Sequence, residues 1–164
     1  MIAVLLVKII IVVIAVVVCA FLINKLEEKV SNTISFREAL ALAELPVVTF
    51  YQGDKKLNLL LDTGANISII DKEVASTINT KETPRVSKMT GIGGSIKDVA
   101  IVDIILQYKN NTFEDGFQVT DMSSTFSAIK KASGVTIHGI LGNKFMQKYK
   151  YILDFDKMIA YSKK

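Results

Sequence analysis

One aspartate in this sequence stands where a carboxylate is costly to leave alone. Asp62 is followed by Thr63 and Gly64, and apolar or small residues flank the triplet: Leu59-Leu60-Leu61 before it, Ala65-Asn66-Ile67-Ser68-Ile69-Ile70 after it. Such surroundings penalise the charge unless it is shared with a second acid or solvated by backbone N–H groups. Gly64 has no Cβ and lets the backbone approach the carboxylate closely. The Thr63 hydroxyl can lock neighbouring loops together. These are the ingredients of a carboxylate dyad, in which two acids about 3 Å apart share one proton and act as base and acid toward a bound water. The competing reading of Asp62 alone is an Asx turn after a strand. A three-residue match does not separate the two.

Other chemistries find little support. The sequence holds one cysteine, Cys19, and one histidine, His138. No disulfide framework or Cys/His metal centre can be built from them, so neither a metal nor a cofactor is expected. His138 precedes Gly139 at a strand end and reads as a packed or surface side chain. The net charge of +4 is carried by scattered lysines without interleaved aromatics. That pattern describes a solvated surface rather than a nucleic-acid interface.

The elements that must hold Asp62 are mostly strands. Val47 to Tyr51 and Leu57 to Leu61 are apolar and β-branched runs about a Gly53-Asp54 turn. They predict a hairpin that delivers Asp62 at the end of a buried strand. Asp71 can cap a short helix reaching Thr77. The polar stretch from Asn79 to Ser87 leads to Lys88-Met89-Thr90-Gly91-Ile92-Gly93-Gly94-Ser95-Ile96-Lys97, a glycine-rich hairpin tip. Further strands are expected over Ala100 to Leu106, Phe117 to Val119 and Ile137 to Leu141. Ser124 to Ala132 reads as a helix stopped by Gly134, and Asn143 to Tyr149 as a short helix. Tyr151 to Phe155 should pair with Met158 to Tyr161 across Asp156-Lys157.

The N-terminal part is of another kind. Ile2 to Ile23 are apolar except for Lys8, and the overall hydrophobic fraction of 50% owes much to this segment. About 20 apolar residues span a bilayer, with a lysine near one end able to reach the interface. Phe21-Leu22-Ile23-Asn24-Lys25 offers no signal-peptidase site, so residues 1–24 are read as a retained single-pass membrane anchor. Charge asymmetry read alone places the domain in the cytoplasm. Lys8 read as the charged end of a signal-anchor exports it, and an extracytoplasmic domain is the preferred expectation. Residues 25–45 read as a juxtamembrane stalk, with a capping box over Ser35-Phe36-Arg37-Glu38 and a short helix ended by Pro46. Residues 46–164 are the globular domain.

Three blocks of that domain together resemble the retropepsins, the single-domain aspartic proteases of retroviruses and their bacterial relatives. They are Leu60-Leu61-Asp62-Thr63-Gly64-Ala65, the flap-like Lys88 to Lys97, and Ile140-Leu141-Gly142-Asn143, in the family's order. The tail through Tyr151-Ile152-Leu153-Asp154-Phe155 is more similar to the bacterial members. The resemblance covers residues 47 to 161. It implies a mostly β, single-domain acid-protease barrel with short helices behind a transmembrane helix. It also implies an endopeptidase in which Asp62 is the catalytic carboxylate. Thr63 would interlock two active-site loops and Gly64 would contact the substrate backbone beside Ala65. Gly91, Ile92, Gly93 and Gly94 would form the flap tip, and Ile140-Leu141-Gly142 would pack beneath the site.

The sequence has a single such triplet, so the second Asp62 must come from another protomer of a homodimer. Membrane tethering would raise the effective concentration for that pairing. The groove between protomers should take an extended peptide with apolar side chains. Retroviral members carry a paired aspartate and arginine where this chain has Asn66 and Asn143. Loss of both is self-consistent, whereas loss of one would leave a charge unpaired. The two asparagines are therefore expected close together, within hydrogen-bonding reach. The alternatives are a catalytically inactive peptide-binding or dimerisation module of the same fold and, further off, an anchor protein with a coincidental triplet.

Overall fold

The computed structural model describes residues 11–22, 34–90 and 96–163. The chain divides into a unit of residues 1–33 and a compact unit Ile34–Lys164. In the first, residues 11–22 form a helix, α1, whose apolar side chains are exposed, Phe21 at 66%. Among the described residues no helix is long and apolar enough to cross a membrane. The remainder of the expected span lies outside the described residues.

The compact unit opens with α2 (Phe36–Ala43), capped by the reciprocal Ser35–Glu38 box. This helix, placed in the stalk by sequence reading, is part of the folded unit. Phe36 and Ala39 are buried in the core, and Ile34 N–H donates to the Thr49 hydroxyl at 2.8 Å. An amphipathic helix with a buried phenylalanine folds onto an apolar partner rather than standing in water, so the folded unit starts at Ile34, not at residue 46.

The strands are β1 (Val47–Gln52), β2 (Lys55–Leu61), β3 (Ser68–Asp71), β4 (Lys81–Thr90), β5 (Ile96–Tyr108), β6 (Asn111–Thr120), β7 (Gly139–Leu141), β8 (Tyr151–Asp154) and β9 (Ile159–Ser162). The first seven run in the order β1-β2-β7-β3-β6-β5-β4, and Tyr51 opposite Gln107 joins β1 to β5. Six strands thus close into a barrel, with β4 as a flange on β5. Closure removes the open edges that two of those strands would otherwise present. The β1–β2 hairpin turns at Gly53, whose φ of 56° suits the twist of a two-residue connection.

Strand β4 is where the sequence misleads. Its Lys81-Glu82-Thr83-Pro84-Arg85 reads as loop, yet it pairs with β5 on the outside of the sheet. The register shifts between Glu82 and Val86, around Pro84. Edge strands carry charges and tolerate proline at a bulge, so the usual strand pattern is missing there. Strand β6 also runs past its apolar part: Asn111, Thr112 and Glu114 are exposed, while Phe113 among them is buried in the core.

Three helices complete the unit: α3 (Lys72–Ala75), α4 (Ser123–Ser133) and α5 (Asn143–Tyr149). Asp71 Oδ1 caps α3 through Glu73 N–H and Val74 N–H, and Gly134 ends α4 at φ 76°. The barrel interior is filled by Phe50, Leu59, Ile104, Leu106, Phe117 and Leu141, with Phe145 of α5 closing one side. The rings of Phe113 and Phe145 meet the Phe50 ring edge-on at 5.8 and 6.1 Å. That is a favoured geometry for aromatic pairs.

Candidate active site

Asp62 stands at a crossing of the chain. Strand β7 lies between β2 and β3, parallel to β2 with Leu61 opposite Leu141, and antiparallel to β3 with Ile69 opposite Ile140. The loop from β2 to β3 must therefore pass around the end of β7, and Asp62 is its first residue. Asp62 N–H donates to Leu141 O at 3.0 Å, which extends the ladder into the loop. A turn follows, closed by Ala65 N–H on Asp62 O at 3.2 Å, with Gly64 N–H donating to Asp62 Oδ1 at 2.8 Å. That last bond is an Asx turn. The Asx turn expected of Asp62 taken alone is present, and it solvates one carboxylate oxygen.

Asp62 is half-buried, and Thr63 and Gly64 are exposed. A Cβ on Gly64 would come within 3.2 Å of Asp62 Oδ1, so this position favours glycine for its close approach to the carboxylate. Among the described residues the Thr63 hydroxyl makes no hydrogen bond. The flap residues Gly91, Ile92, Gly93 and Gly94 lie outside the described residues. The strands on either side of them are paired as far as Thr90 opposite Ile96.

Helix α5 braces the loop from behind. The first N–H groups of a helix have no partner within it. Here Asn143 N–H donates to Ala65 O at 2.7 Å and Lys144 N–H to Asn66 O at 3.2 Å. Asn66 and Asn143 are thus brought side by side, and the link observed between their segments is made by main chain. Gly142, which precedes the helix, is packed against the loop. A Cβ there would meet the Ile67 carbonyl carbon at 2.7 Å and Ala65 O at 2.9 Å. Ile140 and Leu141, on β7 beside the loop, are buried.

Sequence reasoning missed a further contact. Ser68, almost fully buried, accepts from Gly142 N–H at 3.2 Å and donates to Asp115 Oδ2 at 2.6 Å. Burial pushes the Asp115 carboxyl above the usual carboxylate range, against the lowering effect of the Ser68 bond. The signal available beforehand was a serine inside the apolar run Ile67 to Ile70. Its partner, on a distant strand, was not legible.

His138 is packed at the opposite end of β7. Its Nδ1 accepts from Asn58 N–H at 2.9 Å, and its own N–H donates to Asn58 O at 2.9 Å. Burial holds its imidazole below the usual histidine range. Among the described residues no cluster of His, Cys, Asp and Glu could hold a metal ion.

The site is thus one Asp-Thr-Gly turn at a strand crossing of a closed β-barrel, backed by a glycine and a short helix. The sequence profile described as Aspartyl protease matches residues 48–145, more than half of the chain, and the protein belongs to the retropepsin-like aspartic protease family. Among solved structures it is similar to the retroviral protease-like domain of Ddi1 from Leishmania major, with a TM-score of 0.51 and 11% identity over 73% of this chain and 88% of that one. It is also similar to the EIAV protease complexed with the inhibitor HBY-793, with a TM-score of 0.43 and 20% identity over 63% and 86% of the two chains. No curated protein matches the sequence.

Proposed function

We propose that the protein is a membrane-anchored aspartic endopeptidase whose active unit is a homodimer carrying one Asp62 from each protomer. The observation that carries this reading is the Asp62 turn. It presents a half-buried carboxylate with one oxygen already solvated by Gly64 N–H and the other free to meet a second acid. Two such carboxylates around a two-fold axis share a proton. One takes a proton from water as it attacks the peptide carbonyl, and the other gives its proton to the carbonyl oxygen. An extended peptide would lie between the Asp62 loops and the two β4–β5 hairpins.

Two features of the single protomer support the dimer. The Thr63 hydroxyl is exposed beside Asp62 and free to reach the partner's loop. The β8–β9 hairpin exposes Phe155 (58%), Ile159 (43%) and Met158 (41%), an apolar surface of the kind that a subunit interface covers. The exposed apolar side chains of α1 support the anchor.

The test uses the full chain in detergent micelles with a peptide library between about pH 4 and pH 7, a range in which a dyad can share its proton. The wild type should cleave, and Asp62→Asn should lower kcat/KM by about a thousandfold or more. Cleavage that survives the substitution ends the dyad reading. Peptide binding without cleavage by the wild type would favour an inactive binding module.

A further inference from the structure

A cavity of about 120 Å³ lies behind the active-site loop, lined by Ile67, Ser68, Arg85, Ile101, Asp115 and Lys144, with Gly116 at its wall. It joins three parts of the fold: the loop that carries Asp62, the β4–β5 hairpin, and the start of α5. Its one buried polar contact is the chain Asp115–Ser68–Gly142. The Ser68 hydroxyl has a single proton, and Asp115 Oδ2 takes it at 2.6 Å. With that proton committed, a lone pair of Ser68 Oγ stays aimed at Gly142 N–H, 3.2 Å away. Charge-assisted bonds of this length are the strong ones.

Gly142 has no freedom to move alone. It touches the Ile67 and Ala65 main chain, and the two residues after it donate to Ala65 O and Asn66 O. A displacement of Gly142 is therefore a displacement of residues 65–67, and through the Asp62–Ala65 turn it reaches the carboxylate. Asp115 is itself held in place. Tyr149 of α5 accepts from Glu114 N–H at 2.7 Å and donates to Glu114 O at 2.8 Å, and Lys148 Nζ donates to the same carbonyl. The circuit closes on α5, the helix that Gly142 begins.

We propose that Asp115, acting through Ser68, is a positioning residue that fixes the Asp62 loop, so that its ionisation couples active-site geometry to pH. The proposal rests on the reading of Asp62 as the catalytic carboxylate. Ionised, Asp115 pins the Ser68 proton and leaves Gly142 N–H a fixed acceptor. Protonated, it competes as a donor and the relay slackens. The charged groups facing Asp115 are Lys148 and Lys144 from α5, Asp103 from β5 and Arg85 from β4. Arg85 is paired with Asp103, and β3 offers only the uncharged Ser68. Desolvation of the half-buried carboxylate raises its pKa, against the lowering effect of the Ser68 bond and of Lys148, and the transition is sought over the range of about pH 4 to pH 7 used for cleavage.

The decisive experiment follows the Gly142 amide by ¹⁵N NMR of the full chain in micelles across that range, in the wild type, Asp115→Asn and Ser68→Ala. The wild-type Gly142 signal should titrate, and that step should vanish in both variants. Persistence of the same step in Asp115→Asn overturns the proposal. Peptide cleavage supplies the second arm. Ser68→Ala should lower kcat by about tenfold with little change in KM, Ser68→Thr should restore it, and Asp115→Asn should flatten the acid limb of the pH profile. A wild-type limb reproduced unchanged by Asp115→Asn also overturns it. If no form cleaves any peptide, the protease reading fails, and the Gly142 titration still decides whether Asp115 governs the loop.

Discussion

Gly142 and His138 stand at opposite ends of β7, and each makes a prediction at the scale of single atoms. Alanine at position 142 would drive a methyl group to 2.7 Å from the Ile67 carbonyl carbon, a main-chain atom that cannot swing aside. Gly142→Ala should therefore destabilise the protein by about 2–4 kcal/mol, read from urea unfolding, and should also reduce any cleavage activity. His138 is neutral in the fold because its Nδ1 accepts a main-chain N–H in a buried place. Its folded pKa lies below its unfolded value. The stability it contributes is therefore present above the ordinary histidine pKa of about 6.5 and is lost as pH falls toward the folded value. Lowering the pH from about 7.5 to about 5 should weaken the wild type more than His138→Asn, in which a side-chain oxygen can replace the acceptor without titrating. Equal pH dependence of the two in urea titrations would show that His138 is not the titrating group. The triplet itself was legible at this scale. The Ser68–Asp115 bond was not, since no local pattern joins residues 47 positions apart.

At the scale of elements, α2 matters more than its position in the chain suggested. The capping box, the helix and its end were readable from Ser35, Glu38 and Pro46, because those signals are local. That the helix belongs to the core was not readable, since burial of Phe36 depends on what the barrel presents to it. A chain beginning at Ile34 should fold and leave the membrane fraction. One beginning at Leu45 should lose cooperative unfolding, because it uncovers the core around Val47 and Val48. Circular dichroism melts of the two truncations provide the check, and matching melts would show α2 to be dispensable. Strand β4 shows the opposite failure. Its charges and Pro84 hid an edge strand that exists because β5 offers it a ladder.

At the scale of the whole molecule, one protomer holds one Asp62, and the dyad proposed above needs two. Specific activity should therefore fall as the protein is diluted below the dimer's dissociation constant. If the β8–β9 hairpin is the interface, Ile159→Lys should shift that fall to higher concentration by about tenfold or more while leaving the melt of the protomer nearly unchanged. Sedimentation of the variant, set beside its activity, measures both. An unaltered dimer in Ile159→Lys would place the interface elsewhere.

By itself the sequence determined the Asp62 turn, the flanking strands, most helices and the family. Each of these follows from short-range chemistry: glycines at close approaches, caps at helix starts, apolar runs at buried strands. Tertiary structure alone decided how the turn is held. Strand β7 inserts between β2 and β3, α5 lends its unpaired N–H groups to the Ala65 and Asn66 carbonyls, and Ser68 finds Asp115 across the barrel. The expected brace at Asn66 and Asn143 became a main-chain brace for the same reason. A backbone N–H with no partner in its own helix takes the nearest acceptor, and only the folded barrel determines which acceptor is nearest.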